Sequence, residues 1–405
     1  MLNGQLKNTI DVQKLNVSLL AQSVSFLCGK HHVSVLHDPS DIRKPESKCL
    51  EHLGWVKDLN GKWVRGYRTF NSVCLDLSSK QVRLLACTPY SSKDPDYVSK
   101  TLLQKYEKGR LEDPNECQRI GKALAQNSHY NLSIITRTQI QDIHDQFKSV
   151  CPTIVLTHIL DREFVDFDLM NWLTNELEDK FIIRLKANVT SNEHTIEAHT
   201  GREIPLKLIA KQDWAYTHTI HFKSIQFKGK PYVNAKAIIE WDTLQKGDNT
   251  YSVIRIRAYD QNGKRIFKDP MLLITNYVVS KSEVAHYVWH QYLQRSKIES
   301  VFKFCKQALG WEHFRVRDYE SIKNIISLTY FVAAYFYEIE HELTKDHTVQ
   351  WICLLGGAKG KVSRNYFLAG IAQLLTTHKV QQFIKEQNIS EEQIQKALRL
   401  FIPLE

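Results

Sequence analysis

The sequence lacks an apolar run long enough to cross a bilayer. Its longest uncharged stretches, Leu15–Gly29 and Asn324–Tyr337, have 15 and 14 residues and contain polar side chains, whereas a membrane-spanning helix needs about 20 mainly apolar residues. Asp11 and Lys14 interrupt the apolar run that a secretory leader requires, so we expect Met1–Gly29 to form an amphipathic helix. We therefore predict no transmembrane helix and a cytoplasmic location.

Glycine and proline are also scarce, with 16 and 10 among 405 residues, which excludes collagen-like and low-complexity chains. With 43% hydrophobic and 24% charged residues, the composition is that of a globular protein, and the length corresponds to about two or three domains. The eight cysteines include no C-x-x-C pair, so buried free thiols are favoured over a zinc site or a disulfide framework.

Acidic residues are too few to balance the basic ones. Lysine and arginine number 54 against 44 aspartates and glutamates, which leaves a net charge of +10. Such a charge favours polyanionic partners, because neutralised phosphates release counterions. Charge alone does not identify the partner.

Alternating apolar residues and turn residues predict three strands at the start of the chain. His32–Asp38 is predicted as a short strand that Pro39 ends, and Asp58–Gly61 has the composition of a hairpin turn. Gly66–Leu77 and Gln81–Thr88 are expected to pair antiparallel.

A strand–helix–strand unit is predicted further along, after a polar stretch that permits helices and is interrupted at Pro114. Thr153–Leu160 and Lys180–Ala187 have the composition of buried strands, and Phe164–Leu177 between them has helical spacing. The first strand ends at Asp161. A carboxylate at that position is common in open α/β active sites.

Short β-rich runs separated by turns follow, and they predict an inserted all-β module. The runs are His194–Ala198, Leu206–Ala210, Ala215–Phe222, Tyr232–Glu240, Tyr251–Ala258 and Met271–Tyr277. A helical pattern resumes at about Ser282 and continues to the C-terminus.

Four polar residues near residue 300 have helical spacing. At 100° per residue, Arg295, Glu299 and Lys306 project at about 300°, 340° and 320° from Tyr292, which predicts one narrow helix face. A carboxylate beside two cations suits a site that holds a divalent metal and a phosphodiester. A solvated face with Arg295–Glu299 pairing is the alternative interpretation.

The spacing Y-x-x-R-x-x-x-E-x-x-x-x-x-x-K over residues 292–306 resembles the Y-R-E-K signature of DDE-type bacterial insertion-sequence transposases, in the insertion-sequence-four group. Leu272–Asn276 before it, and Leu309–Trp311 with Phe314–Arg317 after it, are similar to the flanks of that signature. The resemblance extends from about Val33 to Ile322.

The resemblance implies a ribonuclease-H-like α/β fold, with a mixed sheet, an inserted all-β module and a C-terminal helical region. The expected divisions are a short N-terminal helical segment (1–31), the first part of the catalytic core (32–187), the β-rich insertion (188–281), the core helix with the third carboxylate (282–322) and the C-terminal helical region (323–405).

The family's three catalytic, metal-binding carboxylates correspond by resemblance to Asp38, Asp161 and Glu299. Asp161 and Glu299 match the family's D-R-E element and its signature glutamate, and Asp38 fits the opening strand best, with Asp41 and Asp76 as alternatives. The intervals of 123 and 138 residues between the three leave room for the β-rich insertion in the second interval.

The implied chemistry is DNA cleavage and strand transfer with two Mg²⁺ ions, for which Mn²⁺ is a substitute, in a cut-and-paste reaction that proceeds through a hairpin. Two ions about 4 Å apart activate the attacking oxygen and stabilise the leaving oxygen. Tyr292, Arg295 and Lys306 are expected to bind the DNA backbone near the cut.

Some family members flip a base with an aromatic wedge. The matching position here is Met271, and Trp214 and Trp241 are the alternatives. Each tryptophan is more often a core residue of a β module.

The expected partners are the transposon ends and the target DNA, bound by a dimer, with no membrane partner. A bacterial, nucleoid-associated location follows for the DNA-bound protein. The alternative is a domesticated or inactive DNA-binding descendant. Retention of Asp38, Asp161 and Glu299 argues against inactivity, and the 37 residues before Asp38 argue for it, because family members carry a larger region there.

Overall fold

The computed structural model describes residues 10–76, 79, 81–185, 195–197, 203–205, 214–227 and 230–394. The chain divides into two compact units, Met1–Phe331 and Val332–Glu405.

The described strands all belong to one twelve-stranded sheet. They are β1 (His32–Arg43), β2 (Gly54–Lys57), β3 (Trp63–Leu75), β4 (Val82–Tyr90), β5 (Val155–Leu160), β6 (Lys180–Leu185), β7 (Thr195–Glu197), β8 (Glu203–Pro205), β9 (Tyr216–Phe227), β10 (Lys230–Lys246), β11 (Asn249–Tyr259) and β12 (Met271–Thr275).

Helices account for most of the remaining described residues. They are α1 (Val12–Leu27), α2 (Lys100–Glu107), α3 (Pro114–Ala125), α4 (Leu132–Val150), α5 (Phe167–Asn175), α6 (Ser282–Leu293), α7 (Ser296–Gln307), α8 (Tyr319–Glu342), α9 (His347–Leu355) and α10 (Arg364–Glu386).

The sheet is mixed. Its strand order is β2-β3-β1-β5-β6-β12-β11-β10-β7-β8, with β4 on β3 and β9 on β10. β1 pairs antiparallel with β3 and parallel with β5, and β5 pairs parallel with β6. The β-rich residues after β6 continue the same sheet, because β12 pairs antiparallel with both β6 and β11. The chain is therefore α/β, as its sequence predicts.

The first strand is longer than predicted. Pro39 does not end it, because β1 continues to Arg43 and Pro39 faces Phe70 on β3. Pairing with β5 stops at Leu36, so beyond that residue one edge of β1 is open. A proline, which has no N–H to donate, is tolerated at such an edge.

The hairpin turn at Asp58–Gly61 and the antiparallel pair of β3 and β4 are confirmed. The Asp58 side chain accepts from the backbone N–H groups of Asn60 and Lys62, and Gly61 has a φ of +80°. Pro114 is the first residue of α3, where a proline costs no hydrogen bond.

One long helix has no counterpart in the sequence predictions. α4 begins after Asn131, whose side chain accepts from the N–H of Ile134, and it buries Ile140, Ile143 and Phe147. Those apolar residues are spaced three and four apart, which is the helical pattern. The predicted strand Leu206–Ala210 lies outside the described residues.

Helices cover both faces of the strands that carry the site. On one face, Leu20 and Val24 of α1 and Phe147 of α4 form a core cluster with Val33 and Val35 of β1. Even-numbered residues of β1 point to the other face, where Ser34 donates a hydrogen bond to Gln291 of α6 at 2.9 Å.

The second unit contains two closely packed helices, α9 and α10. Gly356 and Gly370 allow this packing, since a Cβ at either position would overlap with backbone atoms of the facing segment. Arg364 pairs with Glu340 and lies over the ring of Tyr337.

All eight cysteines are free, five of them buried, as the composition predicts. Within the described segments, no helix combines the length and the apolar character needed to span a membrane.

Candidate active site

The register of two parallel strands aligns the first two predicted carboxylates. β1 and β5 pair from His32 with Val155 to Leu36 with Ile159, a constant offset of 123 residues. Two residues further along, the same offset places Asp38 opposite Asp161, which immediately follows β5. Adjacent strands lie about 4.8 Å apart, so the backbone holds these two carboxylates side by side.

The third carboxylate comes from the first turn of α7. Buried Ile298, Val301 and Cys305 anchor this helix, and Glu299 lies on its more exposed side, with 59% of the side chain accessible. The packing of α7 therefore places this carboxylate near the middle of β1 and the end of β5.

Asp38, Asp161 and Glu299 converge on the guanidinium of Arg295. Arg295 Nη1 lies 2.9 Å from Asp38 Oδ2, and Nη2 lies 3.8 Å from Asp161 Oδ2 and 3.2 Å from Glu299 Oε1. The structure thus brings together the three predicted acidic residues around one predicted cation.

Tyr292 joins the same cluster, but the predicted single helix face is wrong. α6 ends at Leu293 and α7 begins at Ser296, and the backbone between them makes tight i to i−3 hydrogen bonds, such as Arg295 N–H to Tyr292 C=O. This turn interrupts the helix between Tyr292 and Glu299. The largely buried Tyr292 donates from its hydroxyl to Asp161 Oδ1 at 3.3 Å.

Electrostatic effects in the cluster follow from burial and crowding of charges. Burial raises the pKa of Asp38 to about 7, the Arg295 guanidinium opposes that rise, and the charges of Asp161 and Glu299 add to it. Burial would lower the pKa of Arg295, but the carboxylates around it outweigh burial and raise it. Burial also raises the pKa of Tyr292 to about 12.

The donor chemistry of the three residues suits a hard divalent cation, because Mg²⁺ binds carboxylate oxygens. A cation already lies among these oxygens, in the form of Arg295, so the site stabilises positive charge. Among the described residues, no three His, Cys, Asp or Glu side chains are gathered into a ready metal site. Binding of a metal would therefore require the Arg295 side chain to move aside.

Lys306 lies apart from this cluster. It is eleven residues from Arg295, about 16 Å along a helix, and its Nζ lies 4.0 Å from Glu312 Oε1. Glu312 is also paired with Arg43 at the end of β1, at 3.0 Å. Burial lowers the pKa of Lys306.

The alternative first carboxylates also lie elsewhere. Asp41 pairs with Arg68 at 3.3 Å, and Asp76 pairs with Lys30 at 3.0 Å. Of the three candidates on the opening strands, Asp38 is the one that contacts Arg295.

Two further features lie near the site. Arg184 of β6 lies close enough to Tyr292 for its charge to oppose the rise in the pKa of that phenol, and an arginine among the apolar residues of a strand is the signal that identifies it. On the opposite face of the sheet, His37 Nε2 lies 2.9 Å from His158 Nδ1, and His158 Nε2 lies 3.1 Å from Asp179 Oδ2. His37 and His158 are fully buried.

The predicted wedge positions are not free to insert into DNA. Met271 is buried within β12 and faces Ile256. Trp241 is buried and stacks on Tyr216 with ring centroids 5.5 Å apart, and Trp214 is half-buried under Arg255.

The fold and the cluster define an α/β protein with an acidic site where the parallel pairing of β1 with β5 ends. Residues 135–336, about half of the chain, match the family model described as the transposase DDE domain. The match supports a DDE-type transposase, which implies a nuclease-type enzyme and DNA as its partner. It includes Asp161 and Glu299, whereas Asp38 precedes it. A search of curated proteins returned no match to the chain.

Proposed function

We propose that this protein is a DNA transposase of the insertion-sequence-four group, in which Asp38, Asp161 and Glu299 hold two Mg²⁺ ions at the ends of a transposon. The observation that carries the proposal is the convergence of these three carboxylates around Arg295. The order β4-β3-β1-β5-β6, with three antiparallel strands and two further parallel ones, supports a ribonuclease-H-like core.

The protein's own residues bind and position the DNA in this proposal. Arg295 binds a phosphate oxygen beside the carboxylates, where its charge matches the anionic backbone. Tyr292 orients Asp161 through its hydroxyl, and the nearby charge of Arg184 lowers the pKa of Tyr292. The ions, when bound, activate the attacking oxygen and stabilise the leaving oxygen of the phosphoryl displacement.

We further propose that excision is of the cut-and-paste type through a hairpin intermediate, that the protein is a dimer in the DNA complex, and that Lys306 also contacts the DNA backbone. The residue types and spacing of the Y-R-E-K signature support them. The contact of Lys306 with Glu312 means that Lys306 must exchange this carboxylate for a phosphate in order to bind DNA.

Replacement of Glu299 by Gln tests the enzymatic role. The change keeps the size of the side chain and removes the charge that holds a metal, so we expect Mg²⁺-dependent cleavage of a transposon-end duplex to fall by at least about a hundredfold. DNA affinity should remain within about twofold, because Glu299 offers no charge that attracts phosphate.

Asp41→Asn is the matched control, because Asp41 lies on the same strand as Asp38 but pairs with Arg68. Asp38→Asn should lose cleavage while Asp41→Asn retains it. Equal cleavage by Glu299→Gln and the wild type would remove Glu299 from the catalytic set.

The second candidate is a DNA-binding descendant without catalytic activity. The position of Arg295 among the carboxylates, together with the lack of a ready metal site among the described residues, favours it. Sequence-independent DNA retention without cleavage in Mg²⁺ or Mn²⁺ would support this candidate.

A further inference from the structure

Two tryptophans are exposed on one face of the β2–β3 hairpin. Trp55 and Trp63 are 44% and 59% exposed, whereas Val56, on the opposite side of β2, is buried. Alternation of side chains along a strand explains this pattern. The hairpin therefore anchors itself through its valine and leaves two large aromatic rings accessible.

Each exposed ring is paired with a cation across the hairpin. Trp55 faces Arg65 and Lys57 faces Trp63 in the strand register. The guanidinium carbon of Arg65 lies 4.8 Å from the Trp55 ring, and Lys57 Nζ lies 5.3 Å from the Trp63 ring. The surface thus alternates aromatic rings with positive charges.

A cleft with a volume of about 590 Å³ lies beside these rings, and Pro45, Lys48 and Arg65 also line it. Aromatic rings interleaved with cations bind unpaired nucleic acid, since bases stack on the rings and phosphates lie near the cations. Duplex DNA matches the rings poorly, because its base faces already stack on one another.

The hairpin is fixed to the strand that carries Asp38. The backbone N–H of Lys57 donates to Asp41 Oδ2 at 3.2 Å, and Asp41 is three residues beyond Asp38, about 10 Å along β1. A strand that leaves the acidic cluster needs only a few nucleotides to reach the tryptophans.

We propose that Trp55 and Trp63, with Lys57 and Arg65, form a stacking surface for the unpaired bases of a DNA strand next to the cut. This proposal rests on the proposed function, because it assumes that DNA is opened at the acidic cluster. It assigns the hairpin a role in holding single-stranded DNA.

Fluorescence anisotropy with two labelled strands of about 12 nucleotides tests the proposal; this length lies within the range bound by single-strand-binding folds. One strand is oligothymidylate, and the other is an abasic strand of equal length, which keeps the phosphates and lacks bases. Trp55→Ala and Trp63→Ala should each weaken oligothymidylate binding about tenfold. Neither change should alter binding of the abasic strand by more than about twofold, because no bases remain to stack.

Two control variants separate stacking from charge. Trp351→Ala removes a tryptophan of similar exposure, 51%, from α9 and should leave both affinities unchanged. Lys57→Ala should weaken binding of both strands to a similar extent, because it removes a phosphate contact.

Trp55→Phe is the control for misfolding of the Trp→Ala variants. It keeps an aromatic ring and should retain most of the affinity for oligothymidylate. Equal binding of oligothymidylate by the wild type and both Trp→Ala variants would overturn the proposal. So would a change in the sedimentation mass of the DNA-free protein in the Trp→Ala variants, which would identify the surface as a protein interface. Cleavage of duplex DNA by the wild type tests the proposed function separately. If the wild type cleaves and the tryptophan variants bind oligothymidylate as tightly as it does, the proposed function stands and only the stacking surface is excluded.

Discussion

Arg295 occupies the position between three carboxylates that a metal would need. Its guanidinium therefore competes with a divalent cation for Asp38, Asp161 and Glu299. Arg295→Ala should strengthen Mn²⁺ binding in the absence of DNA about tenfold, which corresponds to roughly 1.4 kcal/mol for the loss of one competing, partly buried cation.

Isothermal titration with Mn²⁺ measures this effect. Lys303→Ala, which removes an exposed cation from the same helix as Glu299, is the control and should leave Mn²⁺ affinity unchanged. Weaker Mn²⁺ binding by Arg295→Ala would show that Arg295 organises the carboxylates for the metal and does not compete with it.

Asp179 is the buried carboxylate of the histidine network, and its ionisation stabilises the fold. Burial by itself would raise the pKa of Asp179, but the hydrogen bonds and charges of His158 and His144 outweigh burial and lower the pKa below 3.8. A lowered pKa contributes stability that is fully present above the unfolded-state value and is lost as pH falls through the folded-state value.

We therefore expect Asp179→Asn to reduce the free energy of unfolding by about 1–3 kcal/mol at pH 7. The difference from the wild type should shrink as pH falls below about 4, where Asp179 is protonated in the unfolded chain, and further as pH falls through the lower folded-state pKa. Denaturant unfolding at several pH values measures it, with Asp145→Asn as a control, since Asp145 is an exposed acceptor on α4, next to His144. A difference that is constant with pH would show that the substitution acts through the shape of the side chain and not through its charge.

At the scale of elements, the close packing of α9 on α10 depends on glycine. Alanine in place of a helical glycine ordinarily stabilises a helix by about 1 kcal/mol. At Gly370 the added methyl group would overlap with the carbonyl oxygen of Ile352. The steric cost of overpacking, about 1–3 kcal/mol, then exceeds the propensity gain, so Gly370→Ala should destabilise the second unit.

Hydrogen exchange of the α9 and α10 amides follows this effect directly, and faster exchange is expected. Gly121→Ala is the matched control, because a methyl group there meets a side chain and no backbone: the Tyr106 hydroxyl oxygen at 3.0 Å and Cζ at 3.9 Å. Slower exchange in Gly370→Ala would contradict this prediction, because it would show that α9 and α10 accommodate the added methyl group without loss of stability.

At the scale of the whole molecule, the net charge of +10 should give DNA binding an electrostatic contribution that depends strongly on salt and little on sequence. If about six phosphates are neutralised, duplex affinity falls about a thousandfold between roughly 50 and 200 mM salt. Titrations of two unrelated duplexes should give equal slopes, and Arg295→Ala should lower the slope by about one phosphate. An affinity that does not change with salt would exclude this electrostatic mode.

Local sequence determined much of the sheet and the types of residue at the site. The turn at Asp58–Gly61, the pairing of β3 with β4, and the strand–helix–strand unit ending at β6 were all predictable, because each depends on neighbours within a few residues. The acidic candidates came from the resemblance of residues 292–306 to the Y-R-E-K signature, and Asp38 lies inside β1 and not at its end.

Only the tertiary structure decided how these parts meet. The offset of 123 residues that aligns Asp38 with Asp161 is a register between strands distant in sequence, and no local pattern specifies a register. The continuation of β1 through Pro39 depends on where β5 stops, and the helix break at residues 294 and 295 interrupts a face that local spacing predicts as continuous. Arg295 lies among all three carboxylates for the same reason: its position is fixed by two strands and a helix that come together only in the folded chain.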